Sequence, residues 1–301
     1  MKIYYIILNN NFYNLRIDKI LSILFPIFSR NYIQYLIKKK NIFINNKFIK
    51  KSIKNKNFKI IKIIFKKNNK KKCFLGEKIF FKCIYEDQEI LIINKPIKIV
   101  VHPAPGHWYG TLFNGLLYKY PKLINIPRLG IIHRLDKNTS GIMIIAKTIF
   151  SYYKLIKQFK DRIINKYYLA LVWGHINKKG IINNCIIRDF KNRKKMTISK
   201  KNIFKKSITY YKRLAISKIK KVKVSFIYCK IKTGRTHQIR IHMKNLGFPL
   251  IGDNLYGKKK NIYKFKYQAL IAKKISFIHP KKKKKIFFTI KLSSYFLNLL
   301  K

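Results

Sequence analysis

The chain has 301 residues and carries 70 Lys and Arg against nine Asp and Glu, which gives a formal net charge of +61. So strong a positive charge favours a polyanionic partner, and for a soluble protein this means nucleic acid first. The chain is rich in residues encoded by adenine- and thymine-rich codons, so genome composition contributes to the amount of charge. We therefore interpret the sign of the net charge and not its size. The nine acids leave few candidates for a mechanism that needs paired carboxylates.

The cysteines and the apolar stretches exclude several other classes of protein. Four scattered cysteines without a Cys-x-x-Cys pair indicate neither a disulfide framework nor a zinc site. No apolar stretch approaches the roughly 18 residues of a membrane span, and the apolar start is too short for a signal peptide. We therefore predict reduced thiols, a cytoplasmic location and no membrane contact. The length suits one substantial core with a small appended module.

Residues 12–60 form a self-contained segment of two helices followed by a hairpin. Pro26 ends the first predicted helix, Ser29 caps the second, and Asn45-Asn46 supplies the tight turn of the hairpin. The apolar positions at helical spacing are Ile17, Ile20, Leu21 and Leu24, then Tyr32, Ile33, Leu36 and Ile37. Basic side chains on one face are typical of a surface that follows RNA phosphates, although a solvated basic face has the same pattern.

This segment resembles the S4 RNA-binding domain, and the resemblance assigns it to residues 1–62. Family members usually carry Gly near positions 40 and 46, where this chain has Lys40 and Asn46. The resemblance makes Asp18 a structural acid. The RNA contacts that it implies are Arg16, Lys19, Ser29, Arg30, Gln34 and Lys38. A basic linker over residues 63–75 is predicted to follow, and a larger second domain spans residues 76–301.

From Gly76 the pattern changes to successive strands. Residues 90–93 and 99–101 are predicted strands, and a helix begins near Thr111, a candidate N-cap. A further helix is predicted at about residues 151–162. The acids Glu86, Asp87 and Glu89 lie at the entry to the first of these strands, and we interpret them as solvated.

The most informative stretch is a polar turn between two apolar runs, Ile131-Ile132 and residues 142–146, which are predicted to be buried strands. Asp136 lies in this turn, two residues after Arg134 and directly before Lys137. A carboxylate among cations on such a loop stays ionised and points out of the sheet. It can serve as a nucleophile, a base or an anchor. The alternative is an ordinary turn aspartate paired with Arg134.

Two later stretches add candidate residues. Alternation along the strand at residues 166–172 places the adjacent Tyr167 and Tyr168 on opposite faces, where either can be a packing residue. A strand over residues 222–231 leads to a helix over residues 237–246 that Thr236 can cap. On this helix Arg240 is a candidate anion ligand or a surface arginine. His237 and His242 lie on different faces, which argues against a zinc site.

Five stretches of the chain together resemble the RluA family of RNA pseudouridine synthases. They are Asn94-Lys95-Pro96, Val101-His102-Pro103, the His-Arg-Leu-Asp-Lys-Asn-Thr-Ser-Gly run at 133–141, the Lys-Tyr-Tyr-Leu-Ala run at 166–170 and the Thr-Gly-Arg-Thr-His-Gln-Ile-Arg run at 233–240. Residues 252–257 and 268–270 continue the match. The His-Arg-Leu-Asp and Gly-Arg-Thr-His-Gln-Ile-Arg motifs are highly specific, and with the S4-like segment the match covers nearly the whole chain.

Within this family, the chain resembles the RluD branch through less specific matches. This branch modifies the large-subunit rRNA hairpin at the subunit interface. These matches are residues 101–106, 110–114, 127–131 and 193–196. One departure is Ile271, where relatives usually carry His. The resemblance implies an α+β fold, with a mixed, mainly antiparallel central sheet and flanking helices in a catalytic domain over residues 76–301, preceded by the small S4-like domain. It also implies a monomer.

The resemblance implies that the chain isomerises specific uridines to pseudouridine in large-subunit (23S) rRNA, at the subunit-interface hairpin (helix 69), without cofactor or metal. Asp136 is then the catalytic aspartate, which either attacks the nucleotide or stabilises the cleaved sugar. Arg240 pairs with Asp136, Tyr168 stacks on the base and moves a proton, and Arg134 fills the space that the flipped nucleotide leaves. The other predicted substrate contacts are His133, Arg235 and His237.

Two alternatives stay open. The chain can be a synthase that acts on other large-subunit uridines, or a non-catalytic RNA-binding or ribosome assembly factor that has kept the fold. The Asp136→Asn variant distinguishes enzyme from factor, and the positions of the modified uridines distinguish the two kinds of synthase.

Overall fold

The computed structural model describes residues 2–8, 12–25, 30–49, 54, 60–65, 75–104, 106–199, 204–219, 221–257, 265–292 and 296. The chain divides into two compact units, unit 1 over residues 1–74 and unit 2 over residues 75–301. Ser29, the predicted helix cap and RNA contact, lies outside the described residues, as does most of the predicted linker.

Unit 1 packs two helices with a small antiparallel sheet. Its elements are β1 (Lys2–Ile7), α1 (Ile17–Leu24), α2 (Arg30–Lys38), β2 (Ile42–Ile44), β3 (Lys47–Phe48) and β4 (Ile60–Phe65), with strand order β1-β4-β2-β3. Both helices lie where the apolar spacing predicts them. Asn45 and Asn46 have φ of +47° and +62°, as the tight hairpin requires.

The predicted end of the first domain at residue 62 falls inside β4. This strand continues to Phe65 because it pairs along its whole length with β1, from Ile7 opposite Ile60 to Lys2 opposite Phe65. Strand β1 was not predicted from the sequence. Its β-branched and aromatic run at residues 3–7, followed by three asparagines, is a local strand signal; the pairing with β4, more than fifty residues later, is what the local pattern leaves open.

Asp18 is fully buried in unit 1 and organises the polar side chains around it. Its carboxylate accepts hydrogen bonds from Gln34 Nε2 at 2.7 Å, Arg30 Nε at 2.9 Å and Arg16 Nε at 3.0 Å. Burial opposes ionisation, but the hydrogen bonds from these three side chains lower the pKa of Asp18 below its usual value. Asp18 is therefore a structural acid, as predicted.

This arrangement changes the interpretation of the predicted RNA contacts in unit 1. Arg16, Arg30 and Gln34 direct polar atoms to Asp18, so these atoms hold the fold of the unit together. Lys19 and Lys38 are exposed on the helices and have their ammonium groups at the surface. RNA contact by these three side chains stays a prediction, since Arg16 and Arg30 are still 40% and 47% exposed.

Unit 2 is built on one large, mainly antiparallel sheet. Its elements are β5 (Lys82–Glu86), β6 (Ile90–Lys95), α3 (Leu112–Lys119), β7 (Ser140–Ala146), α4 (Ile149–Lys160), β8 (Asn165–Trp173), β9 (Lys179–Arg188), β10 (Met196–Ser199), β11 (Lys206–Ile219), β12 (Val222–Ile231), α5 (Gln238–Asn245), β13 (Leu270–Ile278) and β14 (Lys285–Thr289). The strand order is β10-β9-β11-β12-β8-β13-β7-β6-β5, with β14 on β13. The β13–β7 pair is parallel. This confirms the predicted α+β fold.

Two predicted strands are absent from the described sheet as continuous strands. Val100 forms an isolated bridge with Thr111, and Ile131 forms one with Ile145. Both runs are too short to pair further, and burial in the core satisfies their apolar side chains without a ladder. Thr111 caps α3 as predicted, since its side chain accepts from the Asn114 backbone N–H.

The interpretation of these three acids as solvated holds for Glu86, which is exposed and pairs with Lys147 at 2.6 Å. It is wrong for Asp87 and Glu89, which are half-buried. Asp87 accepts hydrogen bonds from the backbone of the β5–β6 turn, and Glu89 accepts one at 2.6 Å from Thr148, the N-cap of α4. These two carboxylates therefore fix a turn and a helix end. None of the helices in the described part of the chain is long and apolar enough to cross a bilayer.

Candidate active site

The loop that carries Asp136 enters the sheet where two strands run in parallel. Strand β7 is buried along its whole length and begins at Ser140, opposite Ile271 of β13. Gly141 has φ of +124°, and a Cβ at this position would lie 2.4 Å from the carbonyl oxygen of Ala272. Only glycine allows this close approach. The tight contact between β7 and β13 fixes the end of the loop and with it the position of Asp136.

Arg240 joins Asp136 to a second carboxylate. Its Nη1 donates to Asp136 Oδ2 at 3.0 Å, while its Nε and Nη2 donate to Asp253 Oδ2 and Oδ1 at 2.7 and 2.9 Å. Burial opposes the charge, but Asp253 and Asp136 raise the pKa of Arg240 above its ordinary value. The guanidinium is thus a permanent cation in a rigid fork, and its third donor orients Asp136.

Asp253 is buried, and backbone N–H groups hold its carboxylate in place. Its Oδ1 also accepts from the N–H groups of Leu255 and Tyr256, at 3.0 and 3.1 Å. The sequence analysis gave this acid no role, although it stands in the stretch at 252–257 that matches the family. The scarcity of acids in this chain was the signal that could have singled it out.

His237 approaches Asp136 from the start of α5. Its Nε2 lies 3.9 Å from Asp136 Oδ2, and its Nδ1 forms a 2.8 Å hydrogen bond with the Tyr256 hydroxyl. That hydroxyl also accepts from Met196 N at 2.8 Å. When the hydroxyl donates its own proton to Nδ1, the neutral imidazole carries its proton on Nε2, toward Asp136. Burial lowers the pKa of His237, which favours this neutral form. His237, and not Thr236, is the N-cap of α5, with φ of +56°.

Tyr168 faces the same side of the sheet as Asp136. It lies on β8 between Ala272 of β13 and Cys229 of β12. Burial and the nearby Asp136 carboxylate raise the pKa of Tyr168, so its hydroxyl stays protonated at neutral pH. It can donate a hydrogen bond or a proton. Tyr167 lies on the opposite face and stacks on Tyr228 at 5.4 Å, as the alternation predicts.

These side chains surround a cleft of about 770 Å³, a volume in the range of small-molecule sites. All seven site residues predicted in this unit line it: His133, Arg134, Asp136, Tyr168, Arg235, His237 and Arg240. Seven more cations also line the cleft: Arg128, Lys160, Arg162, Lys166, Lys205, Lys206 and Lys232. The structure therefore combines a carboxylate and a tyrosine with a strongly positive rim.

Comparison with known proteins identifies this constellation. Residues 89–245, more than half of the chain, match the family described as RNA pseudouridylate synthase. The chain belongs to this family. The resemblance to the RluA family, and to its RluD branch, is confirmed, and the protein is an RNA pseudouridine synthase, an isomerase.

Two relatives and one solved structure illustrate the similarity. A Buchnera aphidicola (subsp. Schizaphis graminum) protein named "Ribosomal large subunit pseudouridine synthase D" is 43% identical over 279 residues, which are 88% of this chain and 86% of the relative. A protein of the same name from Buchnera aphidicola subsp. Acyrthosiphon pisum is 39% identical, over 92% and 91% of the two chains. "Human RNA Pseudouridylate Synthase Domain Containing 1" has a TM-score of 0.59 at 26% identity, over 72% of this synthase and 85% of the human chain.

His133 has a structural role in the synthase. Its Nε2 accepts a 2.9 Å hydrogen bond from the Ile144 backbone N–H, and its ring packs on Phe159 with 5.1 Å between ring centres. Burial, assisted by Lys166, lowers the pKa of His133 to about 3, so the ring is neutral. His133 therefore ties the catalytic loop to β7, and because it also lines the cleft, its contact with substrate stays a prediction.

The low pKa of His133 makes stability depend on pH. Between the unfolded value of 6.5 and the folded value of about 3, the unfolded chain binds more protons, so stability falls as the pH falls. In His133→Gln, the amide oxygen can still accept from the Ile144 N–H, but the side chain does not titrate. Between pH 6.5 and 4 we therefore expect the free energy of unfolding of this variant to fall less than that of the wild type, by on the order of a few kcal/mol. Urea unfolding at pH 7.5, 5.5 and 4 measures this. His107→Gln, at an exposed histidine, is the control; parallel curves for His133→Gln and the wild type would contradict the assignment.

Two lysines beside the site, the buried Lys95 and the half-buried Lys166, were not predicted. Lys95 is fully buried and donates to three backbone carbonyls, including that of Lys137 at 3.2 Å, so it anchors the residue that follows Asp136. Burial lowers the pKa of Lys95 to about 7, against the effect of Asp136. Burial likewise lowers the pKa of Lys166 to about 8, and its ammonium lies 5.4 Å from the centre of the Phe159 ring. Both stand in stretches that match the family.

Within the described ranges, the His, Cys, Asp and Glu side chains form no group of three that could hold a metal ion. Whether the reaction needs a cofactor stays a prediction from the sequence.

Proposed function

We propose that this synthase isomerises uridines in large-subunit (23S) rRNA, with Asp136 as the nucleophile. The observation that supports this most is the carboxylate of Asp136, held at 3.0 Å by Arg240 in the wall of a cationic cleft of about 770 Å³. The relatives with 43% and 39% identity are named for the large ribosomal subunit, which supports rRNA as the substrate.

The reaction breaks the bond between C1′ of the ribose and N1 of the uracil, turns the base and joins C1′ to C5. C5 loses a proton and N1 gains one, so no electrons or water are consumed and no cofactor is required. A carboxylate suits this sequence because it can bond to, or neutralise, the fragment that is detached. Attack on the nucleotide and stabilisation of the cleaved sugar both require Asp136 to be ionised, which the Arg240 hydrogen bond favours.

Tyr168 and His237 can handle the protons. The Tyr168 hydroxyl is protonated at neutral pH, so in this proposal it packs against the base and donates to it; it does not remove the proton from C5. The neutral His237 presents Nε2–H toward Asp136 and can support the carboxylate after the base leaves. Each role follows from the protonation state that the surroundings impose.

A uridine inside a helix must leave its stack to reach Asp136. Arg134 is exposed and lines the mouth of the cleft, where it can occupy the space of the extruded nucleotide. Arg235 and the other cations that line the cleft can bind the flanking phosphates. In unit 1, which we propose is an S4-like domain, the exposed Lys19 and Lys38 are the side chains best placed to contact RNA.

The less specific sequence matches to the RluD branch support the subunit-interface hairpin, helix 69, as the target. We further propose that the protein acts in the cytoplasm as a monomer.

The test incubates the full chain with an unmodified 23S rRNA transcript and maps pseudouridines by carbodiimide modification and reverse transcription. We expect modification at uridines of that hairpin. Modification elsewhere would indicate other large-subunit targets, and no modification would overturn the proposed substrate.

A further inference from the structure

The turn between β9 and β10, residues 189–195, has the sequence Asp-Phe-Lys-Asn-Arg-Lys-Lys. We call it the β9–β10 turn. It contains part of the stretch at 193–196 that the sequence analysis singled out and to which the catalytic scheme assigns no role. It lies at the edge of the large sheet, because β10 is the last strand in the sheet order.

The β9–β10 turn is ordered by its own hydrogen bonds. Asp189 Oδ1 accepts from the backbone N–H groups of Lys191 and Asn192, at 2.8 and 3.0 Å. Asn192 Oδ1 accepts from Lys194 N at 3.1 Å, and Lys195 N donates to Asn192 O at 2.8 Å. These bonds give the seven residues one conformation without help from the core.

Phe190 stands in this ordered turn with 89% of its surface exposed. The turn does not need an aromatic ring, since it is held by polar groups of the backbone and of Asp189 and Asn192. A ring in a preformed turn can bind a flat partner at little cost in conformational entropy. The exposed face of Phe190 is therefore a ready platform for stacking.

The charges around Phe190 indicate what stacks on it. Lys191, Arg193 and Lys194 are exposed within four residues of the ring. The hydrogen bonds from the turn backbone lower the pKa of Asp189, so its one carboxylate is occupied inside the turn. An aromatic ring flanked by cations is the combination that binds unpaired nucleotides, where the ring meets the base and the cations meet the phosphates.

The base of the turn is connected to the active site. Strand β10 begins at Met196, whose N–H donates to the Tyr256 hydroxyl at 2.8 Å. The same hydroxyl contacts His237, which lies 3.9 Å from the Asp136 carboxylate. The turn is therefore held to the same part of the fold as the Asp136 carboxylate, so one RNA molecule can reach both.

We propose that the β9–β10 turn is an RNA-binding arm, in which Phe190 stacks on an unpaired base outside the cleft while Lys191 and Lys194 bind the adjacent phosphates. This inference rests on the proposed RNA substrate and adds a second point of recognition to it. The arm selects RNA with an unpaired base near the target uridine. It acts on affinity and not on the chemical step, since Phe190 touches none of the reacting groups.

The test measures binding of the full chain to the 23S rRNA transcript and to a 16-base-pair RNA duplex without unpaired bases. We expect Phe190→Ala to raise the Kd for the transcript about tenfold and to leave the Kd for the duplex unchanged. Phe190→Trp keeps a stacking ring and should stay within about threefold of the wild type. In activity assays, Phe190→Ala should raise KM and leave kcat unchanged.

Phe80→Ala is the matched control, because Phe80 is 86% exposed in the same unit but lies outside the turn. The inference is overturned if Phe190→Ala binds the transcript as tightly as Phe80→Ala, if Phe190→Trp is as weak as Phe190→Ala, or if the duplex is affected equally. Failure of the proposed function has a different signature. The wild type would then make no pseudouridine in the transcript, while the dependence of binding on Phe190 would still decide the present inference.

Discussion

Asp136→Asn is expected to abolish pseudouridine formation, with a single-turnover rate at least about 10⁴-fold below that of the wild type. Asparagine keeps the shape of the side chain and an oxygen that can accept from Arg240 Nη1. It lacks the negative charge and the nucleophilic oxygen that the detached fragment needs. Release of tritium from C5 of a labelled transcript measures the rate, because this position loses its hydrogen during the reaction.

The same variant should still bind RNA, because the cationic rim of the cleft is untouched. We expect its Kd for the transcript within about threefold of the wild-type value, or lower, since one negative charge has been removed from the cleft. Asp161→Asn, at an exposed acid, should keep the wild-type rate. A rate for Asp136→Asn above a tenth of the wild-type rate would show that Asp136 is not the nucleophile.

Asp253→Asn is expected to damage both stability and activity, although this residue does not reach the substrate. It removes one charge from a buried pair in which Arg240 makes two hydrogen bonds with the same carboxylate. Breaking such a pair costs about 3 kcal/mol of unfolding free energy, because a buried guanidinium loses its compensation. The Arg240 fork also loses its fixed orientation, so the single-turnover rate should fall by about 100-fold.

Urea unfolding and single-turnover assays on the same preparation separate these two effects. Asp161→Asn again serves as the control, since it removes a charge of the same sign from an exposed site. If Asp253 orients Arg240, the rate at saturating RNA will fall while the Kd for RNA changes little. Unchanged unfolding and unchanged rate would mean that Arg240 holds its position through Asp136 alone.

The sequence predicts best those elements whose cause is local. Helices α1 and α2 follow from apolar residues at helical spacing, and the hairpin turn follows from two asparagines that accept positive φ. The strand at 99–101 was predicted from a short apolar run alone, and such a run can be buried without a ladder. Strand β1 was missed although its run at residues 3–7 favours a strand locally; only its pairing with β4, far away in the chain, depends on tertiary structure.

The active site shows the same difference between features with a local cause and features that depend on tertiary contacts. Asp136 and Arg240 are 104 residues apart, and only the family motifs made their 3.0 Å contact predictable. The roles of Asp253 and Lys95 depend on tertiary contacts, with a guanidinium in one case and with the Lys137 carbonyl in the other. The substrate contact of His133 is predicted from its motif, whereas its hydrogen bond with the β7 backbone is a tertiary contact that the motif does not reveal.

The sharing of one guanidinium between two carboxylates has a consequence for how a nucleotide enters. Asp136, Arg240 and Asp253 together carry one excess negative charge at one wall of a cleft that is otherwise lined by many cations. We expect a phosphodiester to be repelled from this wall and attracted to the cations, whereas an uncharged base and sugar are not repelled. This distribution of charge would favour entry of a nucleotide with its base and sugar toward Asp136 and its phosphates toward the cations.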